Sequence, residues 1–487
     1  MFFKKGNFSS TRIGEIDNYN TNKKKAPFIN SVIRFLAIIF SIIAVFYVGK
    51  YAISFVQASM GIISKGSIKM ISQNIGQDMK KDEFGNVNIL LIGYGGESHA
   101  GGYLADSIMV ASRNPELGAI TFISIPRDLR VKNPNTNGYS RINVLFNRIY
   151  NRNKDLIQAA SGFSEKIEEI VGLDINYYAT IDFNGFEKVI DTLGGVDIYI
   201  KNTIHDTTYP DGEKGYMTFH LDAGQQHLDG KTALMYARSR HTTSDFDRSL
   251  RQQQIINSIK DKLLSGGNIK SVSKIKELYG DYTQMVNTNI NFKEIVGVVK
   301  YIDNIKQIFS FGLNTNCVYT NFEYMTPGCF LYNPNRELFD GAAVIIPNGG
   351  TPGNVSFYDH IHKFSFLVTH NQEYLLEGAD IIIQNGIDKN FARSIGKRID
   401  GNSNLLAAKL KKYGLKISDT QNATSPIEKT TIYIPYTGAF QGTTKILGLF
   451  FDAQIINSNI GTGNELTIIL GNDYIQKIKE NGFRYDL

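Results

Sequence analysis

The chain has 487 residues, 42% hydrophobic and 20% charged, an ordinary globular composition that excludes global disorder and leaves room for two or three domains. Its formal net charge is +6, but residues 1–34 hold Lys4, Lys5, Arg12, Lys23, Lys24, Lys25 and Arg34 against Glu15 and Asp17, a local +5 that leaves the rest near +1. A nucleic-acid-binding protein carries its basic excess in its folded part, so the charge argues against a DNA or RNA partner.

After the basic tail (1–32), residues 35–48 read FLAIIFSIIAVFYV and the apolar character continues to Val56. With Lys50 snorkelling to the interface, 33–56 is long enough to span a bilayer. The Lys23–Lys25 triplet and Arg34 precede it, so the positive-inside rule places the N-terminus in the cytoplasm and everything beyond residue 60 outside. A cleaved signal peptide with Val56-x-Ala58 as processing site is the competing reading, and it also exports the chain.

Residues 57–85 suit a short stalk. From Val87 the runs VNILLIG (87–93), SIMVAS (107–112) and AITFISIP (119–126) have the compact apolar pattern of buried strands. A helical pattern around Glu165–Val171 follows, then strand-like YYATIDF (177–183) and GGVDIYI (194–200). Strands alternating with helices predict an α/β domain with a largely covered sheet. Ser271–Ile305 reads as helical, Ala342–Ile346 as one more strand, and PNGGTPGN (347–354) as the start of a linker running to 374. A second, small α/β unit is expected over 375–487. Its strands are ADIIIQNG (379–386), TTIYIPY (430–436) and LTIILGNDY (466–474), with a helix around Asn404–Lys412. Cys317 and Cys329 permit a disulfide in an oxidising compartment, and two free thiols fit equally well. No Cys/His cluster has zinc spacing, and His360-x-His362 alone is weak evidence for a metal.

The chemistry concentrates in YARSRHTTSDFDRSLRQQQII (236–256), which holds Arg238, Arg240, Arg248 and Arg251. Arg238 and Arg240 follow apolar ALMYA, and on a strand both would face one side. Ser244 and Asp247 suit a helix start, which puts Arg248 and Gln252 on one helical face, with Asp245 at the junction. Planar guanidinium forks beside a helix N-terminus suit a multiply charged phosphate group. In isolation, a solvated surface neutralised by Asp245 and Asp247 accounts for the stretch equally well. Other segments favour the ligand. SIPRDLR (124–130) places Arg127, Asp128 and Arg130 directly after a buried strand, where α/β sheets bind ligands. YSRINVLFNR (139–148) supplies Arg141 and Asn143 at a loop-to-helix junction. LADSIMV (104–110) sets Asp106 at the head of a buried strand, where a carboxylate needs a cation or an arginine.

The series LLIGYGG, LADSIMVAS, ISIPRDLRV, RINVLF, IDFNGFEKVIDTLGGVDI, LDGKTALMYARSR and DFDRSLRQQQII, in this order over roughly 87–264, resembles the LytR-CpsA-Psr family of cell-wall ligases. The tail from about 375 is similar to the LytR C-terminal domain often appended to that family. The resemblance implies a three-layer α-β-α domain with a central mixed sheet over 86–346 and an N-terminal transmembrane helix. It implies transfer of a sugar phosphate from a polyprenyl-diphosphate-linked glycopolymer, such as teichoic acid or capsule, to a hydroxyl of peptidoglycan, with release of polyprenyl phosphate. Matched by motif, Asp106 would coordinate Mg2+, with Mn2+ as alternative ion. Arg127, Arg141, Arg238, Arg240 and Arg248 would bind the diphosphate, assisted by Gln252. Asp128, Asp245, Asn143 and Arg130 would orient this set. Catalysis would rest on Asp106, Arg127, Arg240 and Arg248, with Asp106 the first choice to take the acceptor's proton.

The chain departs from the family where many members carry an aspartate just after the first strand's glycine. That slot is Tyr94 or Gly95, so either Glu97 or His99 substitutes as a metal ligand or Asp106, water and phosphate oxygens hold the ion, which magnesium tolerates. The loop's G-x-G-G lacks the third glycine of a dinucleotide fingerprint. A membrane-anchored module that binds anionic polymer without turning it over is the alternative function. Transcriptional regulation, a third reading, conflicts with the expected topology.

Overall fold

The computed structural model describes residues 78–97, 99, 101–210, 215–239, 251, 254, 255, 258, 286–291, 294, 307–313, 330–457 and 464–481. The expected membrane span 33–56 and the residues Cys317, Cys329, Arg240, Asp245, Arg248 and Gln252 lie outside them. Among the described residues no helix is long and apolar enough to cross a membrane.

The first unit is a mixed α/β fold. Its strands are β1 (Val87–Tyr94), β2 (Ala105–Asn114), β3 (Ala119–Ser124), β4 (Arg130–Lys132) and β5 (Tyr139–Arg141). Helices α1 (Ile142–Asn153) and α2 (Leu156–Val171) follow, then β6 (Tyr177–Asp182), α3 (Phe183–Thr192) and β7 (Val196–Ile200). The chain continues as β8 (Ile204–Pro210), β9 (Tyr216–Leu221), β10 (Gly224–Leu228), α4 (Gly230–Arg238), β11 (Val286–Thr288) and β12 (Gln307–Gly312). The central sheet has the order β11-β6-β1-β2-β3-β12. β1 runs parallel to β6 and β3 to β12, while the other pairs are antiparallel.

Both sheet faces are covered, which is why β1 reads as an apolar run rather than an alternation. Leu90, Ile92, Ile108, Val110 and Ile123 face Leu145 and Phe146 of α1 and Phe163, Ile167 and Ile170 of α2. Their chain neighbours Ile89, Met109, Ala111, Ile120 and Phe122 build a separate cluster with Tyr177 and Ala179. Phe146 and Phe163 are fully buried and meet edge to face at 5.3 Å. Truncating either would cost about 3–5 kcal/mol.

The helices begin where side chains can serve their open amides. Asp155 accepts from the amides of Ile157 and Gln158, Asp182 from Gly185, and Asp229 from Thr232. These caps correct one expectation. ALMYA, read as a strand end, lies inside α4, because Asp229-Gly230-Lys231-Thr232 supplies a cap and both α3 and the β7–β10 layer cover the helix. A Cβ on Gly230 would stand 2.2 Å from the carbonyl oxygen of Glu187, so only glycine lets α4 approach α3. The helical expectation for 271–305 also fails locally: Val286–Thr288 is an edge strand on β6. Three residues carry no period of their own, and the pairing partner decides their state.

The expected strand at 342–346 shrinks to Ile346–Pro347, paired with Leu331–Tyr332; these are β14 and β13. The segment expected as a linker contains α5 (Asp359–His370), which packs on β2, β3 and α2. Thr121 donates to the carbonyl of Val368 at 2.6 Å and accepts from Gln372 at the same distance. His370 meets Asp82 at 3.0 Å, tying the helix to the start of the unit.

Beyond α6 (Glu373–Glu377), strands β15 (Asp380–Asn385), β16 (Lys416–Asn422), β17 (Thr431–Ile434), β18 (Gln454–Asn457) and β19 (Glu465–Leu470) form a second mixed sheet of order β16-β15-β19-β17-β18. Helices α7 (Lys389–Ser394), α8 (Asn402–Lys412), α9 (Gln441–Phe450) and α10 (Asn472–Asn481) accompany it. Phe364 of α5 packs on Phe311, Phe330 and Tyr413, so the second sheet's core is continuous with the first. Glu377 caps α9 from a distance, accepting from the amides of Gly442 and Thr443 at 2.7 Å each.

Candidate functional site

The site begins with an irregularity in the sheet. Along β1–β2, Gly93 pairs with Ser107 but Tyr94 pairs with Ala105, so Asp106 is an extra residue in a bulge. Bulges re-aim side chains, and this one lies at the head of β2, an interior strand of the sheet. There Asp106 Oδ1 accepts from Arg127, which sits in the loop leaving β3. Arg127 Nε lies 3.8 Å from Asp128, and the other oxygen of Asp128 accepts from Arg141 at 3.1 Å. The result is an alternating chain of charges, Asp106–Arg127–Asp128–Arg141, built from three separate segments. Arg141 stands at the N-terminal boundary of α1 and is half-exposed. Asn143 is buried and its backbone N–H donates to the Arg127 carbonyl at 3.2 Å, which fixes the loop.

Arg238 belongs to a neighbouring cluster. It ends α4, where its guanidinium stacks over Phe183 at 4.3 Å and donates to Tyr209 Oη at 3.2 Å. A second N–H lies 3.0 Å from His99 Nε2. The backbone N–H of Gly101 donates to Nδ1 at 3.0 Å. Both partners are donors and a neutral imidazole accepts at one nitrogen only, so the two contacts belong to different tautomers of the ring. His99 joins the two clusters electrostatically. Burial and then the Arg238 guanidinium hold its pKa below the ordinary 6.5, while the Asp106 charge pulls the other way.

Because that pKa is depressed on folding, the unfolded chain binds more protons between the lowered value and 6.5. Stability from this group is therefore fully present above 6.5 and is lost as the pH falls through the folded value. The thermal midpoint of the wild type should drop more steeply below about pH 6.5 than that of His99→Gln, whose amide oxygen still accepts from Arg238. Equal slopes for the two proteins would rule His99 out as the responsible group.

Arg130 stands opposite Arg141 in the β4–β5 pair, and its guanidinium lies 5.2 Å from the centre of the Tyr139 ring and 5.0 Å from that of Phe339. Glu97 accepts from Tyr103 Oη at 2.9 Å, and His99, close enough to Asp106 to feel its charge, also lies against Arg238. The slot at 94–95 is closed. The Tyr94 ring is buried against Tyr103 and Phe146, and a Cβ on Gly95 would stand 2.8 Å from His99 Nδ1. Among the described residues no three His, Cys, Asp or Glu side chains could hold a metal ion together. One carboxylate, Asp106, still meets the need of a magnesium ion that keeps its waters and takes its other ligands from substrate phosphates. Sequence reasoning missed Phe183 and Tyr209, which lie in a helix start and a strand that carry no local sign of a site.

The LytR_cpsA_psr family model matches residues 58–336. The polyisoprenyl-teichoic acid–peptidoglycan teichoic acid transferase TagV of Bacillus subtilis (strain 168) is 30% identical over 240 residues, covering 48% of this chain and 57% of TagV. The chain thus spans a little over half the length of that relative. TagT of the same organism, with the same description, is 26% identical over 267 residues, covering 53% of this chain and 74% of TagT. The crystal structure of B. subtilis TagV aligns with a TM-score of 0.41 at 24% identity, over 60% of this chain and 98% of that one.

Proposed function

The chain belongs to the LytR_cpsA_psr family, and on that premise we propose that it is an extracytoplasmic phosphotransferase. It moves a glycopolymer, as sugar phosphate, from a polyprenyl-diphosphate carrier to a peptidoglycan hydroxyl. The observation that carries this reading is the alternating Asp106–Arg127–Asp128–Arg141 chain at the ends of β2 and β3, beside Arg238. Three guanidiniums face two carboxylates there, and incoming phosphate oxygens would take over the arginine donors that the carboxylates hold.

In the reaction the acceptor oxygen forms a bond to the sugar-bearing phosphorus, and the bridging P–O bond of the diphosphate breaks. Polyprenyl phosphate leaves. Arg127 and Arg141 hold the equatorial oxygens and neutralise the charge that builds on them. Asp106, once its arginine turns to phosphate, accepts the proton of the acceptor hydroxyl. Mg2+, or Mn2+ in its place, would be held by Asp106 and would add positive charge at the phosphates. Arg240, Arg248, Gln252 and Asp245 complete the proposed set from outside the described residues. In this proposal 33–56 anchors the chain with its N-terminus in the cytoplasm. Residues 86–346, with α5 packed on them, form the three-layer catalytic domain, and 375–487 are the LytR C-terminal-like unit.

The full chain, incubated with a polyprenyl-diphosphate-linked glycopolymer, peptidoglycan and Mg2+, is expected to release polyprenyl phosphate and attach polymer to the wall. Chelation by EDTA should stop both. Tight retention of the lipid-linked polymer without release would instead assign a binding module.

A further inference from the structure

Away from the site, the hairpin of β8 and β9 carries two histidines directly across from each other, His205 and His220. Both side chains are exposed, and their Nδ1 atoms lie 3.3 Å apart with the rings inclined at 71°. The far nitrogen of His220, Nε2, is 3.1 Å from Asp222 Oδ1. A carboxylate accepts, so the proton of His220 sits on Nε2 and its Nδ1 presents a lone pair to His205. Either His205 Nδ1 donates into that lone pair, or two lone pairs stand 3.3 Å apart, a separation that a cation bound to both would satisfy.

We propose that His205 and His220 chelate a divalent first-row transition-metal ion, zinc or copper(II), through their Nδ1 atoms, with Asp222 fixing the His220 ring from behind. The spacing fits: two nitrogens each about 2.0–2.1 Å from a tetrahedral zinc ion lie about 3.3–3.4 Å apart. The carboxylate on the distal nitrogen is the usual support of a metal-bound imidazole, setting the tautomer and raising its basicity. Two imidazoles select zinc, copper or nickel over magnesium, so the site is distinct from any magnesium bound at Asp106. Water completes the coordination, since no third His, Cys, Asp or Glu joins the pair among the described residues. The chelate would close the hairpin one residue before Asp206, which accepts from Ser239 Oγ at 2.8 Å next to Arg238.

The test is calorimetric titration of the untagged full-length chain in detergent with Zn2+, in excess Mg2+. One equivalent should bind. Affinity should fall at least about tenfold in His205→Ala and His220→Ala and about tenfold in Asp222→Asn. His227→Ala, at an exposed histidine paired with Asp197 on other strands, should leave it unchanged. Copper(II) bound to the wild type should show two nitrogen ligands by electron paramagnetic resonance. Circular dichroism of the variants separates lost ligands from lost fold. No saturable uptake by the wild type, or uptake that survives both histidine substitutions, would overturn the proposal in favour of a simple histidine–histidine hydrogen bond.

Discussion

Arg127→Ala should lower the rate of polyprenyl phosphate release by about 100- to 1,000-fold, the cost of removing one preorganised donor from a developing anion. Arg127 is the link on which the charge chain depends, since it touches both Asp106 and Asp128. Without it, Asp106 loses its partner and Asp128 keeps Arg141 alone, and the cluster that includes Arg238 turns from net positive to neutral. Arg127→Lys keeps the charge but not the planar fork, and should recover only part of the rate. Asp106→Asn should fall in the same range. The double variant should be little worse than either single one, because the two groups act as a unit. Both side chains are about one-quarter exposed, at 23% and 24%, so melting temperatures should change little. Initial rates with purified lipid-linked substrate decide it. Rates within a few-fold of wild type for both single variants would remove the basis of the phosphate cage.

The second large effect is expected at Arg238. Its guanidinium is fixed by the Phe183 ring, Tyr209 Oη and His99 Nε2, so it is held in place before any ligand arrives. Those two hydrogen bonds use two of five donors. Arg238→Ala should weaken binding of the diphosphate lipid by about 10- to 100-fold, as loss of a charge-assisted contact of about 1.5–3 kcal/mol implies. Arg238→Lys should rescue poorly, since an ammonium cannot stack on Phe183 and reach both partners. Phe183→Leu, which keeps the charge and the volume but removes the aromatic face, should cost less than Arg238→Ala, in line with a cation–π contact of about 0.5–2 kcal/mol. Lipid binding measured by fluorescence anisotropy separates these cases. If Arg238→Ala binds as tightly as wild type, this guanidinium serves the packing of α4 alone.

Much of this protein was legible from residue order. Apolar runs bounded by glycine, asparagine and proline mark β1, β2, β3, β6 and β15, because a strand covered on both faces must be apolar throughout. The order of the arginine-bearing motifs marked Asp106, Arg127, Asp128, Arg141, Arg238, Arg240, Arg248 and Gln252 as one constellation, of which the first four form one chain of charges. Other features depend on partners distant in the chain. That ALMYA is helical depends on Asp229 and on glycine-tight packing against α3. The Arg130 guanidinium meets the rings of Tyr139 and Phe339, the latter some 200 residues away in sequence, while its backbone pairs with Arg141. Segment 359–370 belongs to the body of the fold because Thr121, Asn86 and Asp82 hold it there. Local pattern determines which face of an element is apolar, since that needs only the period of the backbone. Which charged side chain meets which partner depends on distances across the sheet, and only the folded chain sets those.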